Sequence, residues 1–245
     1  SMPYSSHLAK YLLQELSYYK QYKKSVFPIA EQFLHWQDNE SAIPAENQCL
    51  IEYVNIDQCS TIFLYPFCGR AANQALAMGI TYFLSQKFCC HTAMTVNDYG
   101  IMIQCNTNIP VATIPFKTLL TTHSISELST HSFNQNEMIL QEFRHICLVS
   151  GLLSKGLPGR LKTNRYTQSS VRILYDIFKE YDPTNLLLQQ AKETVYNNQL
   201  FPKQLSSRLD NISEQLIIKS LKKISPFGYT LYNEQLSAKM NCNEN

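Results

Sequence analysis

Leu8, Leu12, Leu13, Leu16 and Tyr19 recur at i, i+3 and i+4 intervals with lysines between them, which predicts helix over residues 6–35. Pro28 lacks the N–H that an interior turn needs, so the helix is expected in two pieces. The polar stretch QDNESAIPAENQ (37–48) then marks a boundary. Beyond it the period shortens. CLIEYVNI (49–56) and TIFLYPF (61–67) are β-rich runs joined by a polar turn around Asp57–Ser60, as in a hairpin. Gly69 opens a helical run to about Lys87, with Leu76, Ile80, Phe83 and Leu84 on one apolar face. HTAMTV (91–96) and IMIQC (101–105) flank Asn97-Asp98-Tyr99-Gly100, whose composition is that of a turn. Residues 49–105 therefore read strand, strand, helix, strand, strand, with Tyr65, Phe67, Val96 and Ile103 on one buried face or its rim.

Residues 106–133 carry Pro110, Pro115 and scattered Ser and Thr, and are expected as loops with one short helix. Helical pattern returns over 134–150, ended by Gly151 as a C′ cap, over 166–181, ended by Asp182-Pro183, and over 184–199. A helical turn near 203–211 precedes a β-like run, QLIIKSL (215–221). The fold class is α+β, a small, mostly antiparallel sheet in the first half packed with a helix-rich second half. Its parts are a helical lead-in (1–48), a sheet-containing part (49–133) and a helix-rich part (134–240) that joins it in one compact domain. An asparagine-rich tail (241–245) is expected to fray.

Composition narrows the classes. With 44% hydrophobic and 16% charged residues the chain is an ordinary folded protein. A net charge of +2 is too small for the whole-chain field to drive nucleic-acid binding, so such a role must rest on a local basic patch. No apolar run is long enough to span a membrane, which implies a cytoplasmic protein. Eight cysteines include no C-x-x-C and no histidine at zinc-ligand spacing, so they read as small buried hydrophobes in a reducing compartment. The seven glycines never cluster as a phosphate loop requires, and no Asp-Glu-x-His run is present to hold Mg²⁺. No motor and no catalytic or metal site is expected in this chain. Ser1-Met2 has the form of a tag-cleavage scar followed by an added initiator.

The strongest candidate for binding is 143–175, which holds Arg144, Lys155, Arg160, Lys162, Arg165 and Arg172 and not one Asp or Glu. Its middle, KGLPGRLKTNR, is a Gly/Pro-punctuated loop between two helices, where cations can pair with phosphates while glycines admit the backbone. Thr167, Gln168, Ser169 and Ser170 follow at the start of the next helix, where amides, hydroxyls and free N–H groups suit a phosphate oxygen. The other reading is a solvated basic loop with a capped helix. Arg70 opens a helix after Phe67-Cys68-Gly69, where the dipole disfavours a cation. It needs a partner, and an internal carboxylate, Glu52 or Asp98, is favoured over a phosphate. Asp98 itself reads as a turn residue that satisfies backbone N–H groups. Trp36, the single tryptophan, could stack on a base, but beside Phe33 and Leu34 it reads as packing.

Four segments in fixed order, IFLYPFCGR (62–70), TVNDYG (95–100), GLPGRLKTNRYTQSS (156–170) and YDPTNLLLQQA (181–191), resemble the C-terminal region of large helicase-related (Lhr) proteins. The pattern is similar to the ligase-associated DEXH-box branch, from about Glu46 to about Leu231. The resemblance implies the accessory, DEAD/H-associated domain of an ATP-dependent helicase in DNA repair. ATP and Mg²⁺ would then belong to upstream motor domains, with no cofactor in this chain. It further implies RecA-like and winged-helix domains of the parent and single-stranded DNA or RNA as partners, with Arg70, Lys155, Arg160, Lys162, Arg165 and Gln168 toward the strand. A docking or structural module with no strand contact is the alternative, and a stand-alone hydrolase or nuclease lacks any supporting spacing. The chain departs from the family pattern at Asn73 and Gln74, where relatives carry His and Glu, and at Ile56–Ser60, where they carry a basic-acidic-Gly-His-His turn.

Overall fold

The structure, a computed structural model, describes residues 6–25, 27–132, 135–153, 156–157, 160–161, 164–195, 203–212 and 215–243. In chain order the elements begin with α1 (Ser6–Tyr22), α2 (Pro28–Glu40), β1 (Cys49–Ile56), β2 (Cys59–Tyr65) and α3 (Arg70–Phe88). They continue with β3 (Thr92–Val96), β4 (Ile101–Cys105), α4 (Phe116–Leu119) and α5 (Thr122–Ser132). Next come α6 (Gln135–Val149), β5 (Gly156–Leu157), β6 (Arg160–Leu161), α7 (Asn164–Tyr181) and α8 (Leu186–Val195). The chain closes with α9 (Lys203–Ile212), β7 (Leu216–Ser220) and α10 (Pro226–Asn243). Two compact units result: Ser1–Ser132 with Phe201–Asn245, and Phe133–Leu200.

Pro28 divides the lead-in as its chemistry requires, taking the first position of α2, where a missing N–H leaves no bond unmade. Helix α2 runs on to Glu40, so the polar stretch that marks the boundary is helical at its start. The strand, strand, helix, strand, strand reading of 49–105 holds. The β1–β2 turn is tighter than the four-residue turn read from sequence, with only Asp57 (φ 49°) and Gln58 (φ 64°) between the strands. Positive φ at both positions is type I′ geometry, which follows the twist of the flanking strands. Gln58 bears the left-handed strain of a side chain with a Cβ. Gln58→Gly is therefore expected to stabilise the chain by about 0.5–1 kcal/mol in urea unfolding. Destabilisation would show that the Gln58 side chain makes contacts outweighing that strain.

The sheet runs β3-β4-β2-β1-β7 and is mostly antiparallel. It is mixed because β7 lies parallel to β1, with Leu50 opposite Ile217. Both faces are covered, which explains why β2 is buried from Ser60 to Tyr65 rather than alternating. Ile51, Ile62, Leu64, Ile101 and Ile103 face a core with α3, α5 and α9, anchored by Leu76, Ile80, Ile125 and Leu209. Leu50, Val54, Phe63, Tyr65 and Met102 face a second core with α1, α2 and α10, anchored by Leu13, Leu16, Leu34 and Leu231. Tyr65, Phe67, Val96 and Ile103 are all buried, but not on one face. Tyr65 and Phe67 belong to the second core and Val96 and Ile103 to the first, because β2 and β4 each feed both sides.

Residues 106–132 are more helical than their composition suggests. Leu119, Leu120 and Ile125 are buried against α3, and that burial holds α4 and α5 despite the Ser/Thr content. Helix α10 takes in residues 241–243, expected as a fraying tail, while 244–245 lie outside the described residues.

The second unit packs α6, α7 and α8 around Phe143, whose ring lies 5.8 Å and edge-on from those of both Tyr175 and Phe178. Gly151 (φ 75°) follows α6 in the left-handed conformation of a C′ cap. Helix α7 stops before Asp182-Pro183, and Asn185 Oδ1 accepts the Leu187 N–H at 3.0 Å to cap α8.

Candidate nucleic-acid interface

In the first unit, the strand-to-helix junction after β2 and the β3–β4 turn grip each other. Asn97 Oδ1 accepts the N–H groups of Tyr99 and Gly100, each at 3.0 Å, closing an Asx-type turn. The Phe67 N–H donates to Tyr99 O at 3.1 Å and the Gly69 N–H to Asp98 O at 3.2 Å. Asp98 Oδ1 accepts the Arg70 N–H at 3.1 Å, so Asp98 caps α3 from across the turn. Gly100 must be small, because a Cβ there would come within 2.7 Å of Leu64 O. Phe67 sits at φ 52°, rare for a bulky residue, and its neighbours hold it there. Just before it, Pro66 O accepts Arg208 Nε at 2.7 Å. The same guanidinium donates to Gln48 O at 2.9 Å and to Glu46 O, so a buried arginine from α9 fastens this junction to the entry of β1.

The departures from the family pattern acquire a physical meaning here. Asn73 is fully buried, donating Nδ2 to Asn97 O at 2.9 Å and accepting from Cys68 Sγ at 2.9 Å. A neutral amide thus ties the helix to the turn.

Arg70 is exposed, and among the described residues no ion pair joins it to Glu52 or Asp98. The expected internal salt bridge is not formed. Asp98 serves the backbone N–H instead. Glu52 is buried and engaged elsewhere: it accepts from Gln37 Nε2 at 2.9 Å, from Tyr65 Oη at 2.9 Å and from Ser225 Oγ. Burial, with the Glu52 carboxylate beside it, pushes the Tyr65 phenol well above its ordinary pKa. Sequence reasoning placed Glu52 only as a salt-bridge candidate and missed Arg208; the signal available was an acid inside an apolar strand run. Trp36 is 49% exposed while Leu34 is buried, so the packing expectation for the indole is not met.

In the second unit the basic loop is a two-stranded hairpin, with Gly156 paired to Leu161 and Leu157 to Arg160. Arg160 lies on β6 and Arg165 is the second residue of α7. Lys155 and Lys162 lie outside the described residues. Because α7 begins at Asn164, its unbonded first-turn N–H groups are those of residues 164–166. Gln168 falls in the second turn, which corrects its place among free N–H groups. Arg172, one turn on, is exposed. The hairpin thus delivers Arg160 and Arg165 at the start of an 18-residue helix, whose dipole adds to the local positive field.

Burial pushes the thiols of Cys68 and Cys105 up to about 12 and those of Cys49 and Cys147 to about 11, so these four are protonated at neutral pH. No group of three or more His, Cys, Asp or Glu side chains among the described residues could hold a metal ion. No described helix is long and apolar enough to cross a membrane.

The solved structure of the Mycobacterium smegmatis helicase Lhr, bound to ssDNA and AMP-PNP, superposes with a TM-score of 0.65. The match covers 94% of this chain and 32% of that one at 16% identity. An ATP-dependent helicase, Lhr-Core protein 2, from Thermococcus barophilus is 23% identical over 198 residues, 80% of this chain. An Lhr-Core helicase from Methanocaldococcus jannaschii is 22% identical over 148 residues, 60% of this chain. The chain spans 23% and 18% of the lengths of these two relatives. Residues 43–228 match the DEAD/H associated family, and they take in all four sequence segments, the whole of the second unit and part of the first. The chain belongs to the DEAD/H associated family.

Proposed function

We propose that this chain binds and positions a single strand of DNA or RNA as the accessory C-terminal domain of an ATP-dependent, ligase-associated DEXH-box helicase acting in DNA repair in the cytoplasm. On this reading ATP and Mg²⁺ belong to RecA-like motor domains of the parent. The chain packs beside those and a winged-helix domain and turns over nothing itself. One observation carries the reading: the acid-free segment 143–175 is built as a hairpin feeding a helix N-terminus, a geometry that attracts phosphate by charge and by free N–H groups. The ssDNA held by the M. smegmatis relative supports the choice of ligand. Arg70, exposed and without an ion pair among the described residues, is a second phosphate contact in this reading.

The test is a map. Titrating a poly-dT oligonucleotide into the ¹⁵N-labelled chain is expected to move the amide signals of 156–172 and Arg70 most. Shifts confined to other surfaces would remove the hairpin from the strand path and leave the docking-module reading. That second reading draws on the exposed aromatic side chains of α1 and α2, among them Tyr11, Phe33 and Trp36.

A further inference from the structure

A pocket of about 200 Å³ opens in the first unit beside the turn at Asn97. Its walls are Leu12 and Leu16 from α1, Phe33 from α2, Phe67 after β2, and Phe227 and Leu231 from α10. Phe227 is the hub, stacked on Phe33 at 5.7 Å and edge-on to Tyr65 at 5.5 Å and Phe67 at 6.4 Å.

The polar side chains of Tyr65, Asn97 and Thr230 on the lining are engaged within the protein. Tyr65 Oη donates to Glu52. Asn97 uses Oδ1 for two backbone N–H groups and Nδ2 for Glu234 at 3.2 Å. Thr230 Oγ1 donates to Phe227 O at 2.9 Å. A nucleobase would bury its edge against groups that cannot answer it, at a cost that an apolar side chain escapes. Charge points the same way. Glu234 sits one turn beyond Thr230, is held by the pocket's Asn97 and has no cation partner among the described residues. A carboxylate there repels phosphate and favours a cation. The mouth continues into exposed apolar surface: Ile29, 94% exposed, precedes Phe33 by one turn, and the Trp36 ring lies 6.4 Å from that of Tyr229. A contiguous surface of this kind marks a protein contact.

We propose that this pocket docks a partner polypeptide through one bulky apolar side chain, Phe or Leu, flanked by Lys or Arg that meets Glu234. The site is distinct from the basic hairpin, and the inference does not rest on strand binding.

The probe is a short peptide with a central Phe between lysines, titrated into the full chain and followed by Trp36 fluorescence and by the amide signals of Asn97, Gly100 and Thr230. Saturable binding is expected, weakened about tenfold when the central Phe is replaced by Ser. Thr230→Phe, at an exposed lining position, should block the mouth and weaken binding about tenfold while leaving the fold intact. Glu234→Gln, which keeps the acceptor for Asn97, should weaken it several-fold and reduce its salt dependence. Equal binding by wild type and both variants would overturn the proposal. So would displacement of the peptide by single-stranded oligonucleotide, or wild-type dimerisation that Thr230→Phe abolishes, since each assigns this face to another occupant.

Discussion

Glu52→Ala is expected to remove about 3–5 kcal/mol from the stability of the sheet-containing unit, enough to unfold much of the population of a marginally stable unit. Three donors converge on this buried carboxylate of β1 from two elements and the approach to a third: Gln37 on α2, Tyr65 on β2 and Ser225 just before α10. Removing the acceptor orphans Tyr65 Oη and Ser225 Oγ and leaves Gln37 Nε2 only its bond to Ala42 O at 3.2 Å, and an unsatisfied buried donor costs about 1–3 kcal/mol. Gln37 also accepts the Phe227 N–H at 2.9 Å, so its displacement loosens α10 further. Glu52→Gln keeps one acceptor and the volume, and should cost clearly less. Trp36 lies in this unit and is the single tryptophan, so its fluorescence in urea reports the transition without interference from α6–α8. Similar midpoints for wild type and Glu52→Ala would mean that the network contributes little and that apolar packing alone fixes α2 and α10.

Arg208→Met should cost about 2–4 kcal/mol, because it leaves the buried Pro66 O and the part-buried Glu46 O and Gln48 O without their donor. Methionine retains much of the volume, so the loss isolates the hydrogen bonds. For a unit of this size the melting temperature should fall by roughly 5–15 °C. Hydrogen exchange should rise at Phe67 and Gly69, whose N–H bonds to Tyr99 and Asp98 depend on the position of Pro66. Unchanged melting would show that α9 is held by Leu205, Leu209 and Ile212 alone.

Much of this architecture is legible in the residues, for local reasons. The hairpin, α3 and the β3–β4 turn occupy 49–105 without long-range help, and α6 to α8 carry apolar stripes, the first two ended by Gly151 and Asp182-Pro183 and the third opened by Asn185. What escaped depends on distant partners. β7 reads as a strand, but its place parallel to β1 is set by pairing across more than 160 residues. α10 hides because its inward side includes Gln235, bonded to Gln104, and Gly228, packed on Phe63, so the apolar period is broken. α5 hides because Ser and Thr surround Ile125 and Leu128. At the candidate site, spacing singled out the cations but not what surrounds them. Arg70 was expected to pair with an acid, whereas Glu52 turns into the second core and Asp98 turns to the backbone of α3. Gln168 was set one turn too early because the start of α7 at Asn164 leaves no mark in the apolar pattern.

The strand-binding role stands or falls most directly on the salt dependence of binding to a fluorescently labelled single-stranded oligonucleotide. Log affinity against log salt should fall with a slope of about −0.7 for each phosphate neutralised, from dissociation constants no tighter than about 10⁻⁴–10⁻⁶ M at physiological salt. Replacing Arg160, Lys162 and Arg165 together by Ala should flatten that slope by roughly two units. The variant should melt with the wild type, since hairpin cations contribute little to stability. Equal affinities and equal slopes for wild type and triple variant would contradict the assignment and place this domain's role in protein docking.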